Sequence, residues 1–573
     1  MTTNSLSMKR VLITIFLIAI ASSLSAEVVK ERVYISTDKQ SYVAGEKVWM
    51  SGFSFKLTDE IRVSSDISSL VYVELYAGSK SVASVKMAMR NGRGSAFAEL
   101  PLSLATGVYK LIAYTSYMQN EKPLPYFERN IAVFNTLTSE RLPGVKTGRH
   151  DGIFSASALN IQSDGPNPID VIIPNNGNLA KENSYQWEII NRLKQSVSAS
   201  ISIFRVDSLP SVDNRNIELQ IKGNLFPRSS SFVGGFIPEY EGEIIRGKVV
   251  CANGHKESSL SDIPVFLSVP GGDGEIYTAV SGKDGELSFY TDNIYGKREC
   301  IMEVLPRDTT LKYSVELFDS FLHPQIEPAE QFVLDPSFSS SLRSRGFGMQ
   351  VMKRFGSDSL YEVSVPKHNP FLGGRHKLYV LDDYTRFPVM EEVITEYVSE
   401  LRYRKNDNNA QLMVRWDDSF STVAYSRDNS LALIDGIPVF DHKKILEFDP
   451  LKVRSLALYS DRYYLGNISF TGIASFKTYT GKYQGLTFDK NVRIVDFDGA
   501  KPITRLTGKE FEKGLNPDFR HTIFWDPIAE ISSKGTRSYY LRTPSEPGQY
   551  RIVIEGISEN GDPLFISEIF SVK

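Results

Sequence analysis

The histidines, acids and cysteines of this 573-residue sequence are the side chains that could support catalysis or bind a metal. No histidine belongs to a His-Glu-x-x-His pair or to another spacing that would place two metal ligands together. The sequence also lacks a Walker loop, a dinucleotide-binding glycine turn and a Gly-x-Ser-x-Gly nucleophile elbow. It therefore predicts no catalytic residue, no metal ligand and no cofactor, and we expect a protein that is not an enzyme. The seven histidines are His150, His255, His323, His368, His376, His442 and His521.

The acidic residues suggest structural roles more than acid–base chemistry. Adjacent carboxylates, as in Asp382-Asp383, point to opposite faces of a strand and cannot act together, and Glu391-Glu392 fits a helix surface. Asp207 and Asp213 offer too few oxygen ligands for calcium. Asp435-Gly436 has two interpretations, a ligand loop or the turn that ends a strand.

The only two cysteines, Cys251 and Cys300, bracket most of one predicted domain. In an oxidising compartment they could form a single disulfide, and otherwise they are two buried thiols. Pairing depends on the separation of the two Cα atoms, which spacing along the chain does not supply. Both alternatives remain open at this stage.

Length, charge and the N-terminal segment predict an exported protein of several domains. A chain of 573 residues exceeds the size of one hydrophobic core, so we expect four or five domains. Lys9-Arg10, the apolar run 11–21 and Leu24-Ser25-Ala26 are typical of a signal peptide over residues 1–26, with the mature chain starting near Glu27. No later segment is apolar enough to span a membrane, and the net charge of −3 argues against a nucleic-acid partner.

Residues 27–136 form the first predicted β-sandwich, since short apolar runs alternate with glycine turns. The sequence YISTDK at 34–39, followed by Tyr42, Gly45-Glu46 and Val48-Trp49, is similar to the opening of the macroglobulin (MG2) domain of the alpha-macroglobulin family. In the family that this segment resembles, members that trap proteases carry a Cys-Gly-Glu-Gln thioester. This chain lacks that tetrapeptide, so covalent trapping is not implied.

Two further β segments are predicted at 150–235 and 486–573. The first contains candidate strands at 169–173, 185–190 and 198–205, and the second resembles a C-terminal macroglobulin-like module. Within the second segment, Tyr550, Ile552 and Ile554 alternate with Arg551, Val553 and Glu555, which predicts one buried and one exposed face. The C-terminal module suggests that the plug-like unit at 370–485 is inserted in, or attached to, such a sandwich.

Between these segments, residues 240–325 resemble the carboxypeptidase regulatory-like domain, a transthyretin-like β-sandwich. The similarity rests on strands at 245–250 and 263–267 and on the Asp284-Gly285 turn. In surface proteins this domain is commonly a spacer or an adhesion unit, and the resemblance implies no peptidase activity.

Residues 370–485 resemble the plug domain of TonB-dependent outer-membrane receptors. A predicted strand at 377–383 and an amphipathic helix at 388–398 precede the ordered motifs at 431–439, 449–453, 456–459 and 472–479. A receptor also needs a 22-stranded barrel, and fewer than a hundred residues follow Tyr479, so the chain is not predicted to transport by itself.

The predicted fold class is mainly β, with tandem macroglobulin- and transthyretin-like sandwiches and a small α+β plug-like domain. We expect a non-enzymatic scaffold, in the periplasm or associated with the outer membrane, that binds an envelope protein such as a TonB-dependent barrel or a secretion component. The candidate interaction loops are Asp435-Gly436 and Tyr463-Tyr464. The alternatives are a carbohydrate-binding or adhesive surface protein and, less favoured, an exported hydrolase.

Overall fold

A computed structural model describes residues 29–57, 62–149, 167–251, 260–271, 275–305, 312–366, 372, 376–406, 409–416, 424–425, 430–466, 468–512 and 516–573. The predicted signal peptide and three histidines, His150, His255 and His368, lie outside these residues. The mainly β fold class is confirmed by the ten sheets of the described chain.

The first unit, named here the N-terminal sandwich, is built on one nine-stranded sheet with the order β1-β3-β7-β6-β5-β8-β10-β2 and β4 paired to β3. Its core contains many aromatic and aliphatic side chains, among them Tyr34, Phe53 and Tyr114. Its strands and the short β9 are β1 (Lys30–Thr37), β2 (Ser41–Val43), β3 (Lys47–Leu57), β4 (Arg62–Ser64), β5 (Leu70–Ala77), β6 (Lys80–Arg90), β7 (Arg93–Glu99), β8 (Gly107–Tyr114), β9 (Glu121–Lys122) and β10 (Phe127–Phe134).

The second unit, the outer sandwich, combines strands from residues 169–205 with strands from residues 522–572. A three-stranded sheet has the order β12-β14-β36, and a five-stranded sheet has the order β13-β38-β37-β15-β35. The segments 150–235 and 486–573 were predicted as separate modules, and strand pairing shows instead that they share one sandwich. Its strands are β12 (Ile169–Ile172), β13 (Asn178–Leu179), β14 (Ser184–Asn191), β15 (Val197–Arg205), β35 (Thr522–Ile531), β36 (Thr536–Arg542), β37 (Gly548–Ser558) and β38 (Pro563–Val572).

The third unit, the middle sandwich, is inserted in the outer sandwich. Its sheets have the orders β20-β17-β22 and β19-β18-β21-β33, so its last strand comes from beyond the predicted boundary at residue 325. Its strands are β17 (Ile244–Cys251), β18 (Pro264–Val269), β19 (Glu275–Val280), β20 (Glu286–Tyr290), β21 (Lys297–Val304), β22 (Tyr313–Leu317) and β33 (Val492–Asp498).

The fourth unit, the inner module, is inserted in turn between β22 and β33 of the middle sandwich. A five-stranded sheet with the order β25-β31-β32-β29-β30 lies beside a three-stranded sheet with the order β26-β27-β28 and two helices. The elements are β25 (His376–Val380), α3 (Met390–Glu396), β26 (Leu401–Lys405), β27 (Ala410–Trp416), β28 (Ala424–Tyr425), β29 (Leu431–Ile434), β30 (Ile437–Pro438), α4 (His442–Leu446), β31 (Val453–Leu465) and β32 (Ile468–Thr478).

Strand β29 shows why the inner module stays attached to the middle sandwich. Successive side chains of a strand point to opposite faces of the sheet. Ala432 and Ile434 pack in the inner module's own core, whereas Leu431 and Leu433 pack in a second cluster that includes Phe266 of β18. Both faces of the sheet are therefore buried, and the wholly apolar sequence of this strand follows from that.

The connecting segments carry the remaining elements. Helix α1 (Ile217–Lys222) packs Ile217 and Ile221 into the core of the N-terminal sandwich, and helix α2 (Ser339–Arg354) lies against β2. Asn216 caps α1 by accepting a hydrogen bond from the backbone of Leu219. The connecting strands are β11 (Lys146–Thr147), β16 (Ser231–Phe232), β23 (Val333–Leu334), β24 (Glu362–Ser364) and β34 (Ile503–Arg505).

Candidate functional site

A cleft of about 110 Å³ lies where three parts of the chain meet. The turn between β2 and β3 forms one wall, helix α2 and the turn after it form the second, and the segment entering β35 forms the third. We name it the junction cleft. Its lining is Lys39, Gly45, Glu46, Lys47, Trp49, Arg205, Ser344, Arg345, Gly348, Met349, Met352, Lys353, Ser357, Asp358, Leu360, Tyr361, Leu506, Phe519, Arg520, His521, Thr522 and Glu546.

Two glycines allow helix α2 to approach the N-terminal sandwich closely. Gly45 has a φ of 97°, which suits glycine, and a Cβ there would lie 3.0 Å from the Sδ atom of Met349. A Cβ at Gly346 would lie 2.7 Å from the Oγ1 atom of Thr136. The helix backbone therefore reaches the sandwich surface, and Arg345, only 6% exposed, is buried between them.

Buried ion pairs organise the floor of the cleft. The Nζ atom of Lys39 lies 3.0 Å from Asp38 and 3.6 Å from Glu46, and it donates a hydrogen bond to the hydroxyl of Thr522 at 3.3 Å. Because Thr522 belongs to β35, this lysine joins the N-terminal sandwich to the outer sandwich. Each charge has an opposite charge beside it, as buried ions require.

Arg345 and His521 form the second polar group of the cleft. The Nε atom of Arg345 lies 2.8 Å from Asp207, and its Nη1 atom donates to the carbonyl of Ser41 at 2.8 Å. The guanidinium also contacts both ring nitrogens of His521. Burial, together with the positive charges of Arg345, Lys39 and Arg205, holds the pKa of His521 well below its usual range, so the imidazole is neutral at neutral pH.

The mouth of the cleft is lined by lysines, an arginine and two carboxylates. The carboxylate of Asp358 lies 3.6 Å from the Nζ atom of Lys47 and 3.2 Å from that of Lys353, so it forms ion pairs with both lysines. Arg205 pairs with Glu546. The side chain of Lys353 is 32% exposed and that of Arg205 is 27% exposed, and both cations can therefore be reached from solvent.

Two smaller cavities continue from the junction cleft along the interface between the N-terminal and outer sandwiches. The second, of about 70 Å³, shares Lys39, Arg205, Arg345 and His521 with the first. The third, of about 30 Å³, shares Lys39 with both. Gln40 and Phe204 line the second and third cavities but not the first, so the three cavities follow one another in a row, and Lys39 lines all of them.

The predicted interaction loop at Asp435-Gly436 is a structural turn. Asp435 is 3% exposed, and its carboxylate accepts hydrogen bonds from the backbone of Thr478 at 2.8 Å and of Tyr483 at 2.6 Å. Its φ of 50° and the φ of 87° at Gly436 form the tight turn between β29 and β30. Of the two interpretations of Asp435-Gly436, the structure therefore agrees with the turn that ends a strand. The carboxylate of Asp435 is occupied by these hydrogen bonds.

The two predicted tyrosines differ in exposure. The ring of Tyr464 is 71% exposed in the hairpin between β31 and β32. Tyr463 packs partly in the cluster between the inner module and the middle sandwich, with its ring 6.4 Å from that of Tyr459. Only Tyr464 presents a free aromatic surface among these candidates, and the structure does not bring them into the junction cleft.

Both cysteines are free thiols, but only Cys300 is buried and Cys251 is half-buried, so the alternative of two buried thiols holds for Cys300 alone. Cys251 lies at the end of β17 and Cys300 within β21, which belong to different sheets of the middle sandwich. Burial raises the pKa of Cys300 to about 12, so its thiol stays protonated.

The other candidates are engaged in structural contacts. Asp207 pairs with Arg345 and Asp213 with Arg215, which occupies the carboxylates considered for calcium. Asp382 accepts a hydrogen bond from Tyr479, and Glu391 lies 2.7 Å from Lys405. Within the described residues, no group of three or more His, Cys, Asp or Glu side chains could hold a metal ion.

Sequence reasoning missed the residues of the junction cleft. The sequence indicated Lys39 and Trp49 only as parts of the macroglobulin-like motif. It gave no sign that Arg345 and His521 contact each other. The usable signal was an arginine followed by Gly346 and Gly348 in a helical segment, a pattern that permits close packing around a buried cation.

Comparison with known proteins gives no family assignment. No family model matches the chain, and no curated protein matches it. Within the part of the chain that the structure describes, no helix has the length and apolar character needed to cross a membrane.

Several solved structures resemble the fold weakly. The alpha-2-macroglobulin of Escherichia coli activated by porcine elastase has 8% identity and a TM-score of 0.23, over 95% of this chain and 44% of that one. The Salmonella alpha-2-macroglobulin reacted with methylamine has 11% identity and a TM-score of 0.22, over 95% and 39%. Dimeric latent PorU from Porphyromonas gingivalis has 10% identity and a TM-score of 0.13, over 95% and 34%. The chain thus spans less than half the length of these proteins, and likeness at this level establishes neither a shared domain arrangement nor a function.

Proposed function

We propose that this chain is an exported, non-catalytic scaffold of the cell envelope that binds another protein along the interface of its N-terminal and outer sandwiches. The observation that carries the proposal is the row of cavities at a junction held by buried polar contacts. Such a junction keeps a preformed binding surface in place, which lowers the entropy lost on binding.

The contacts between the two sandwiches support a rigid frame. The hydroxyl of Ser51 and the guanidinium of Arg93 both donate hydrogen bonds to the carbonyl of Pro527, at 2.7 and 2.8 Å. On β15, the small side chain of Ser200 lies 3.2 Å from that of Ser36. Buried hydrogen bonds of this kind are costly to break, because each donor and acceptor would lose its partner.

The chemistry of the junction cleft favours binding over catalysis. The neutral His521 contacts Arg345, and the carboxylates Glu46, Asp358 and Glu546 are engaged by lysines or arginines. A general base must instead be within hydrogen-bond reach of the group it deprotonates. Trp49 is 6% exposed and presents little of its ring for stacking on a sugar, which favours a protein partner over a carbohydrate.

The partner class proposed from the sequence is an envelope protein, such as a TonB-dependent barrel or a secretion component. Two positions can report its contact: Lys353 at the mouth of the junction cleft, and the exposed Tyr464 in the inner module. A photo-crosslinking amino acid is introduced at each position, and a third is introduced at Tyr290, an exposed side chain of the middle sandwich, as the control.

The experiment is crosslinking in the host followed by mass spectrometry of the adducts. We expect one envelope protein to be captured at position 353 and little or none of it at position 290. Capture at position 464 would place the inner module in the same interface. Absence of an envelope protein adduct at both test positions, or equal capture at all three, would remove the proposal.

A further inference from the structure

We propose that the row of cavities binds an extended, acidic segment of the partner protein, with an apolar side chain in the junction cleft and carboxylates beside the surrounding cations. This inference rests on the proposed function. It adds the chemical class of the segment that is recognised.

The geometry favours an extended chain over a compact ligand. The three cavities, of about 110, 70 and 30 Å³, follow one another along a domain interface and share Lys39. Side chains of an extended peptide leave its backbone at regular intervals, so they can enter successive cavities. A single small molecule would occupy only one of them.

The charges of the lining favour an anionic segment. Among the described residues, seven lysine and arginine side chains but only four carboxylates line the two larger cavities. Asp38, Asp518 and Glu99 pair with Lys39, Arg520 and Lys47 from outside the lining of these two cavities, so these three cations are balanced from behind while the side chains that face the space are mostly cationic. The cations are Lys39, Lys47, Arg205, Arg345, Lys353, Arg520 and Arg551, and the carboxylates are Glu46, Asp207, Asp358 and Glu546.

The walls of the junction cleft also supply apolar surface. Tyr361 is half-buried and supplies part of that surface, while the buried Trp49 supports its ring edge to face at 5.4 Å between centroids, and the Nζ atom of Lys47 lies 5.7 Å from the centroid of the Tyr361 ring. Met349, Met352 and Leu360 complete the apolar lining. Aromatic and methionine side chains form adaptable pockets for an apolar residue, and adjacent cations select a neighbouring carboxylate.

The cleft also contains a buried hydroxyl that lacks a partner. Ser357 is 1% exposed, and its Oγ atom has no hydrogen-bond partner within the structure. A polar group of a bound segment could pair with this hydroxyl, although unpaired buried hydroxyls such as those of Ser54 and Ser95 also occur outside the cleft.

The test uses two synthetic peptides with blocked ends and calorimetric titration against the full chain. One has the sequence Leu-Glu-Phe-Asp-Leu, and its neutral match is Leu-Gln-Phe-Asn-Leu. We expect the acidic peptide to bind about tenfold more tightly, a preference that weakens as salt screens the charges. Equal affinity for both peptides, or binding of neither, overturns the proposal.

Matched variants locate the binding site. Lys353→Gln and Arg205→Gln together should lower the affinity for the acidic peptide about tenfold, since two cations at the cleft mouth are lost. Lys222→Gln with Lys248→Gln is the control, because both lysines are exposed and pair with single carboxylates elsewhere. Lys353→Gln alone serves if the double variant does not fold. No change in affinity overturns the proposal.

The two proposals fail separately. If crosslinking at position 353 captures an envelope protein while the acidic peptide shows no preference, the scaffold function stands and the acidic class is wrong. If the acidic peptide binds but no partner is captured, the partner assignment is wrong.

Discussion

The hydroxyl of Tyr34 donates a hydrogen bond to the Oε1 atom of Glu555 at 2.9 Å, which joins the first strand of the N-terminal sandwich to a strand near the end of the chain. Arg129 donates to the same tyrosine oxygen at 2.7 Å. Both the tyrosine and the glutamate are buried. The chain's two ends are therefore held together by a charged network inside an interface, which makes one frame of units that are far apart in sequence.

Replacing Tyr34 with phenylalanine should destabilise this interface. The change removes one oxygen and leaves the buried Glu555 and Arg129 short of a partner, which costs about 1–3 kcal/mol. Urea unfolding followed by amide hydrogen exchange in β1 and β37 measures the effect, since a chain of several domains does not unfold in one step.

Tyr540→Phe is the matched control for that substitution. Its hydroxyl donates to Glu512 at 2.6 Å in an exposed position, where water can replace the lost partner. An equal loss of stability in both variants would show that the Tyr34 network does not hold the two sandwiches together.

Stability should also depend on the protonation of Glu239, which lies between the N-terminal and middle sandwiches. Its carboxyl oxygen accepts hydrogen bonds from the hydroxyl of Tyr72 at 2.9 Å and the backbone of Ile244 at 3.0 Å. Burial, with a further contribution from Glu243, raises the pKa of Glu239 to about 7 from an ordinary value of 4.5. The stabilisation is therefore complete below pH 4.5 and is lost as the pH rises through 7.

The measurement is urea unfolding of the wild type and of Glu239→Gln between pH 4.5 and 8, followed locally by amide hydrogen exchange at Tyr72 and Ile244. The amide resembles the neutral acid, so the variant should lack most of a decline on the order of 3 kcal/mol. Glu316→Gln, at an exposed ion pair, is the control and should keep the wild-type profile. An unchanged pH dependence in Glu239→Gln would assign the decline to other groups.

Local structure could be predicted from the sequence, because alternation and spacing act over a few residues. The amphipathic helix predicted at 388–398 is α3, which is shorter than predicted and buries Met390, Val393 and Ile394. The predicted strand at 377–383 ends earlier, at Val380, and continues as a short 3-10 turn. These elements follow from hydrophobic periodicity, which needs no knowledge of distant residues.

The domain arrangement and the candidate site could not be predicted in the same way. Alternation along β37 predicted that Arg551 and Glu555 would be exposed, yet they are 3% and 4% exposed. That face packs on the N-terminal sandwich, where Glu555 meets Tyr34. A period of two shows which residues share one face of a strand, but it does not show whether another unit packs on that face. The junction cleft is formed entirely by packing between units, so the sequence pattern did not predict it.

The turn at Asp435 should contribute more to stability than the exposed Tyr464, which was predicted as part of the same interaction surface. Asp435→Asn leaves one oxygen for three donors, the backbone and hydroxyl of Thr478 and the backbone of Tyr483, and should cost about 1–3 kcal/mol. Tyr464→Ala should change stability by less than about 0.5 kcal/mol. Urea unfolding of the inner module measures both, and a larger loss in Tyr464→Ala would contradict the structural role of the turn.

Acid should weaken the inner module through His442. This side chain is 4% exposed, and its Nδ1 atom accepts a hydrogen bond from the backbone of Leu412 at 2.9 Å, which requires the neutral ring. Burial lowers the pKa of His442 to about 4 from an ordinary value of 6.5. A lowered pKa means that the stabilisation is complete above pH 6.5 and is lost as the pH falls towards 4, by an amount on the order of 3 kcal/mol.

His442→Gln does not titrate, so amide exchange at Ile434 should depend less on pH between 4 and 6.5 than in the wild type or in the control His376→Gln, whose ring is exposed. If His442→Gln kept the full acid sensitivity, the sensitivity would arise from groups other than this histidine.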